Sequence, residues 1–140
     1  MADTCTFCAI AAGEAPARFV YQDAHACAVL DINPLRTGHT LVLPRRHLRD
    51  LTDDGAAEAL ATLGPALHET ASLLTGNLGA EGISVLLASG AAAGQEVFHL
   101  HFHLVPRYSG DKQLTDHTPD AAARHTLDET HRVLVGSADL

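Results

Sequence analysis

Phe98-His99-Leu100-His101-Phe102-His103-Leu104-Val105-Pro106-Arg107 alternates apolar and imidazole side chains from Phe98 to Leu104 without a break. Successive side chains on a strand project to opposite faces, so the spacing predicts a strand over 98–107. His99, His101 and His103 then share one face, spaced roughly 6.5–7 Å apart along the chain. Phe98, Leu100, Phe102 and Leu104 take the other face and pack on the core. A lone histidine is usually solvated or satisfied within a core. Three in strict alternation behind a Gly94-Gln95 turn point to chemistry. Imidazoles two apart on a strand can converge on zinc, and imidazole is also among the side chains that form covalent intermediates.

Upstream of this strand the chain reads as short β runs. Phe19 to Gln22 is a strand candidate, and His25 to Asn33 is β-rich until Asn33-Pro34 signals a turn. Gly38 precedes a further apolar β run, His39 to Pro44. From about Thr52 to Thr75 the character changes. Leu60, Leu63, Leu67, Ala71 and Leu74 recur at helical spacing, Thr52, Asp53 and Asp54 offer N-cap oxygens, and Gly76 suits the stop. One main helix is expected there, kinked at Pro65. Ile83 to Leu87 is a strand, 90–94 a Gly/Ala loop, and a final helix runs from about Pro119 to Val135. Residues 5–13 form a short helix or turn ending at Gly13. This order, without regular βα alternation, predicts an α+β fold: a mostly antiparallel sheet with its helices on one face, a main helix packed on it and a C-terminal helix.

The 140 residues suit one domain, with a core of about 5–110 and a C-terminal tail or helix of about 111–140. Hydrophobic residues make up 46% and charged residues 19%, enough for a packed core. The net charge of −8 includes no long basic run, which argues against a nucleic-acid surface. No apolar run approaches the roughly 20 residues that span a bilayer, and the first residues lack the charged start and apolar stretch of a signal peptide. A cytoplasmic location without membrane association is therefore expected. Three cysteines cannot all pair within one chain, so a disulfide framework is disfavoured and a metal role is open. Cys5-Thr6-Phe7-Cys8 is a C-x-x-C pair for which redox and incidental readings compete with metal binding. The thioredoxin-like reading lacks its βαβ context.

The stretch Gly94-Gln95-Glu96-Val97 followed by the histidine strand resembles the signature of the histidine triad (HIT) superfamily. Asp31-Ile32-Asn33-Pro34 and Gly38 to His47 resemble its other blocks in the same order. The resemblance is strongest to the Hint-like and bacterial HIT branch. It implies a hydrolase or transferase in which His101 attacks the α-phosphate of a nucleoside phosphoramidate or dinucleoside polyphosphate. A nucleotidyl-His101 intermediate then releases the nucleoside monophosphate. His103 would contact the phosphoryl oxygens. Gly94 and Gln95 would hold the phosphate through backbone and amide N–H groups, Asp31 would accept from the ribose hydroxyls, and Ile32 would line the base pocket. His39 matches a histidine near the active site of relatives. The implied partners are a purine nucleotide or nucleoside phosphoramidate and a second copy of the chain as a homodimer.

Zinc-bearing relatives bind the metal through the positions of Cys5, Cys8, His47 and His99, so the resemblance also implies a structural zinc. Cys27 then reads as a small buried apolar residue. Two departures stand out. Ser84 and Ala88 lie where bacterial relatives carry asparagines, and Glu96 lies in the phosphate loop where the Hint branch has a hydroxyl. A carboxylate beside a phosphate repels it unless paired or protonated. Two further readings are a nucleotide-binding sensor without turnover, and a metalloenzyme with an open zinc on His99, His101 and His103. His117, His125 and His131 read as solvated residues.

Overall fold

Strands that read as unbroken apolar runs have to be covered on both faces, and this chain has two of them. In the computed structural model, which describes residues 5–111 and 118–136, Ala26–Leu30 (β2) and Thr40–Pro44 (β3) are buried at every position. They pair antiparallel in the centre of a five-stranded sheet that also contains β1 (Phe19–Gln22), β4 (Gly82–Leu86) and β5 (Phe102–Arg107). The spatial order is β1-β2-β3-β5-β4, and every neighbouring pair is antiparallel. The α+β class and antiparallel sheet expected from the sequence are therefore present.

Alternation sorts the central strands between two layers. Ala26, Ala28, Leu30 and Val42 face a helix spanning Gly64–Gly76, called α3 below, whose Ala66 and Leu74, with Leu63 just ahead of it, close the larger core. Burying one of these leucines contributes on the order of 2 kcal/mol. Cys27, Val29, Leu41 and Leu43 face the other way and pack on Phe7 and Ala11 of α1 (Thr6–Ala11). Helices thus cover both faces rather than one. Cys27 is fully buried there, as a small apolar residue should be.

The expected long helix is two helices, α2 (Ala56–Ala61) and α3. Pro65 does not kink a continuous helix. It occupies the first turn of α3, where its missing N–H costs no ladder bond, so the chain breaks ahead of it. Helix α2 starts late because Asp50 and Asp53 spend their carboxylates on the Thr52 and Arg49 N–H groups of a preceding turn. Gly55, in the left-handed region, leads into it. The C-terminal helix is divided as well, into α4 (Ala121–His125), capped by Asp120, and α5 (Leu127–Val135). His125 is exposed, but His131 is half-buried and donates to the Phe19 carbonyl at 2.6 Å. His117 lies outside the described residues.

The histidine strand is shorter than its alternation predicts. Strand β5 begins at Phe102, and residues 98–101 approach it as irregular backbone. There the Leu100 N–H is taken by the Leu48 carbonyl at 2.7 Å, and Leu100 joins a small cluster with Leu48 and Ala59. Phe98 lies under the Arg49 guanidinium instead of in the main core.

Candidate functional site

A cleft of about 1020 Å³ opens on the α1 side of the sheet, opposite α3. Strand β5 places His103 on its wall, because His103 pairs with Leu41 and shares that strand's outward face. His101, just ahead of the strand, lies beside it with ring centroids 4.9 Å apart. Asp31, Ile32, His39 and the 94–96 loop complete the rim, so every residue expected to meet a nucleotide lines this one space.

Hydrogen bonds set the protonation of each ring. His101 Nδ1 lies 2.7 Å from the carbonyl of His99, an atom that can only accept. The hydrogen is therefore on Nδ1, and Nε2 keeps its lone pair. Burial holds the His101 imidazolium below the usual histidine range, opposed in part by the His99 carbonyl and by Asp31. A neutral imidazole with a defined lone pair results.

A second chain of bonds fixes His103 in the other sense. The Leu35 N–H donates to His39 Nδ1 at 2.9 Å, so His39 carries its hydrogen on Nε2. His39 Nε2 lies 2.9 Å from His103 Nδ1 and donates to it, which leaves the His103 hydrogen on Nε2. Burial, with His103 and His101 adding to it, pushes His39 down to about 3, so the donor direction of this chain is stable. Gly38 allows the arrangement. It sits at φ +91°, a backbone conformation that favours glycine, and so leads His39 inward just ahead of β3.

The carboxylates shape the opposite rim. Asp31 accepts from the Asn33 N–H at 2.8 Å in a local turn, and its Oδ2 lies 3.6 Å from His39 Nε2. Burial raises Asp31, and the neighbouring charge of Glu96 raises it further. Ile32 is 60% exposed, a large apolar side chain left open at the mouth. Gln95 is buried and fully committed inward: its amide nitrogen donates to Arg49 and Val97 carbonyls, and its oxygen accepts from Gly90 N–H. The Gly94 and Gln95 N–H groups also bond within the loop, to Ala91 and Gly90. Gln95 is thus the post that holds the loop against the cleft. Ala88 lines the cleft, whereas Ser84 accepts from Arg107 on the edge strand β4.

Next to the cleft, Cys5, Cys8, His47 and His99 gather their donor atoms within 4.8 Å of one another. Cys8 Sγ lies 3.2 Å from His47 Nδ1 and 3.4 Å from His99 Nδ1, and Cys5 Sγ lies 3.5 Å from His99 Nδ1. Tetrahedral zinc with ordinary Zn–S and Zn–N bonds requires S···N edges of about 3.6 Å. The set fits. His99 donates from Nε2 to the Pro44 carbonyl at 2.7 Å, which leaves Nδ1 as the ligand atom. Burial and the Cys5 thiol push Cys8 up to about 11, a cost that a divalent cation offsets. This geometry opposes an open zinc on His99, His101 and His103, because each of the first two gives one nitrogen to a carbonyl and they face different ways. Asp31, His39 and His103 also lie close together, but the bond chain through His39 leaves that ring no nitrogen for a metal.

Phe7 was not identified from the sequence. It sits between the two cysteines on α1, lines the cleft, and meets the His101 ring edge-on at 5.0 Å. No local motif marks it; only its place inside C-x-x-C, taken with the resemblance that brings Cys5 and Cys8 to His99, points to it.

A family model for the HIT domain matches residues 12–110. An uncharacterised HIT-like protein of Methanocaldococcus jannaschii is 43% identical over 110 residues, covering 79% of this chain and 84% of that protein. An adenylylsulfatase of Arabidopsis thaliana is 36% identical over 109 residues, which are 76% of this chain and 54% of the relative. The crystal structure of a zinc-bound histidine triad family protein from Mycobacterium smegmatis superposes with a TM-score of 0.80 at 35% identity, covering 99% of each chain.

Proposed function

This chain belongs to the histidine triad family, and from that premise we propose that it is a nucleotidyl hydrolase acting through His101. The substrate class is a nucleoside phosphoramidate or a dinucleoside polyphosphate. The observation that carries the reading is the pair of opposed hydrogen bonds: His101 keeps a lone pair on Nε2, while His103 keeps a hydrogen on Nε2. One ring is a nucleophile and its neighbour a donor to the phosphoryl oxygens.

In the first step His101 Nε2 forms a bond to the α-phosphorus, the bond from phosphorus to the leaving amine or phosphate breaks, and the leaving group takes up a proton. The attacking ring then carries Nδ1–H toward the His99 carbonyl, which stabilises its developing positive charge. His103 Nε2–H offers a preorganised donor to the charge that gathers on the phosphoryl oxygens. In the second step water attacks phosphorus and loses a proton, the N–P bond breaks, and the nucleoside monophosphate leaves neutral His101 behind. Asp31 would accept from the ribose hydroxyls and Ile32 would cover the base. Gly94, Gln95 and Glu96 form the wall beside the phosphate. Cys5, Cys8, His47 and His99 would hold a structural zinc, whose four protein ligands leave it no open position for substrate. A homodimer in the cytoplasm goes with this reading.

Ala88 and Glu96 favour a second reading, a nucleotide-binding module with little turnover. Neither supplies the donor that a phosphate wants. A panel of adenosine phosphoramidates and dinucleoside polyphosphates, assayed for release of the monophosphate, separates the two. Turnover of at least one class supports the hydrolase. Tight nucleotide binding with no release from any of them selects the module.

A further inference from the structure

The Cys5-Cys8-His47-His99 cluster and the cleft meet at two residues. His99 offers its ring to the cluster and its backbone carbonyl to the His101 ring. Phe7 lies on α1 between Cys5 and Cys8 and touches both rings, with centroids 6.0 Å from His99 and 5.0 Å from His101. The hydrogen bond to His99 holds one end of the His101 ring. The Phe7 ring stands nearly perpendicular to the His101 ring, at 85°, an edge-to-face contact that favours this orientation of the imidazole.

Phe7 can do this only while α1 stays in place. That helix has six residues, too few to be stable by itself. Its tethers are the apolar contacts of Phe7 and Ala11, the Arg45 bond to the Ala11 carbonyl at 2.5 Å, and the Cys5–Cys8 cluster at its start. Thr6, Phe7 and Ile10 of the same helix line the cleft.

We infer that Phe7 is a positioning residue that couples the Cys5-Cys8-His47-His99 metal cluster to the His101 nucleophile, so that metal binding and nucleotide binding at the cleft strengthen each other. The inference rests on the nucleotide reading of the cleft. Coupling between two sites is reciprocal: whatever factor the metal adds to nucleotide affinity, the nucleotide must add to metal affinity. A metal that only held the fold together would leave that factor near one in the folded protein.

The test is a thermodynamic cycle on the whole chain, with zinc as the metal and adenosine monophosphate as the nucleotide. Zinc affinity is measured by chelator competition with and without saturating nucleotide, and nucleotide affinity is measured on loaded and stripped protein. The two factors should agree, at about 10-fold. Phe7→Leu, which keeps most of the bulk and loses the flat ring, should bring the factor close to one while zinc affinity alone stays within about 3-fold. Phe7→Tyr should restore it. In turnover, Phe7→Leu should lower kcat more than it raises KM. Equal nucleotide affinity of loaded and stripped wild-type protein overturns the coupling whether or not the variants fold. So does full coupling in Phe7→Leu. If adenosine monophosphate binds neither form, the nucleotide reading itself fails, and the inference with it.

Discussion

His99 and His101 stand two residues apart, are both buried, and hold opposite tautomers. His99 gives its Nε2 hydrogen to the Pro44 carbonyl and turns Nδ1 to two sulfurs. His101 gives its Nδ1 hydrogen to the His99 carbonyl and keeps Nε2 for the cleft. Burial holds both below the usual histidine range, His99 at about 4, so both rings are neutral near pH 7. The residue type is the same; the position of one carbonyl acceptor decides whether the free nitrogen faces the cysteine cluster or the cleft.

Removing His101 breaks this comparison most severely. His101→Ala should lower monophosphate release by at least ~10³-fold, because no other ring can form the covalent bond to phosphorus. His39→Phe keeps an aromatic ring in the buried site and removes both the donor to His103 and the acceptor of the Leu35 N–H. It should cost about 10- to 100-fold in kcat with a smaller change in nucleotide affinity, measured by steady-state kinetics and direct binding. Similar losses in both would leave His39 as mere packing.

Stripping the metal, or Cys5→Ser, acts on the His99 side. The unfolding midpoint should fall by about 10 °C, the scale set by a tight ligand lost from the folded state. Thermal scans with and without chelator measure it. No change in the midpoint would count against a structural metal.

Acid acts on the His39 chain. Its pKa is about 3 when folded, against about 6.5 when unfolded. The unfolded chain therefore takes up a proton that the folded one refuses, and this contribution to stability is lost as pH falls from about 6.5 toward 3. Denaturant titrations across that window should show the decline, and His39→Phe should flatten it. Glu96→Gln should give the smallest effect, nucleoside monophosphate binding tightened by about 2- to 3-fold as one exposed charge leaves the rim. Unchanged binding and an unchanged substrate profile would leave Glu96 without a part.

The short strands β1, β2 and β3 could be placed from apolar runs and turn residues, because such runs have few other ways to be buried. The break before Pro65 could not, since leucine spacing continues across it and only the preference of proline for a first turn ends the helix. Alternation from Phe98 to Leu104 singles out three histidines that the structure brings beside the cleft and the cysteine cluster, but it extends the strand four residues too far. A Leu48 carbonyl, distant in sequence, takes the Leu100 N–H and bends that segment away. The cluster of Cys5, Cys8, His47 and His99 came from family resemblance, since nothing local ties residue 5 to residue 99. Phe7 and the inward bonding of Gln95 depend on packing, which no motif encodes.

The most direct test is to quench the reaction with a labelled adenosine phosphoramidate and map the label. One adenylyl group on His101 in the wild-type chain, absent from His101→Ala, is the predicted result. Turnover with no adduct in the wild type, or an adduct that persists in His101→Ala, would contradict the account.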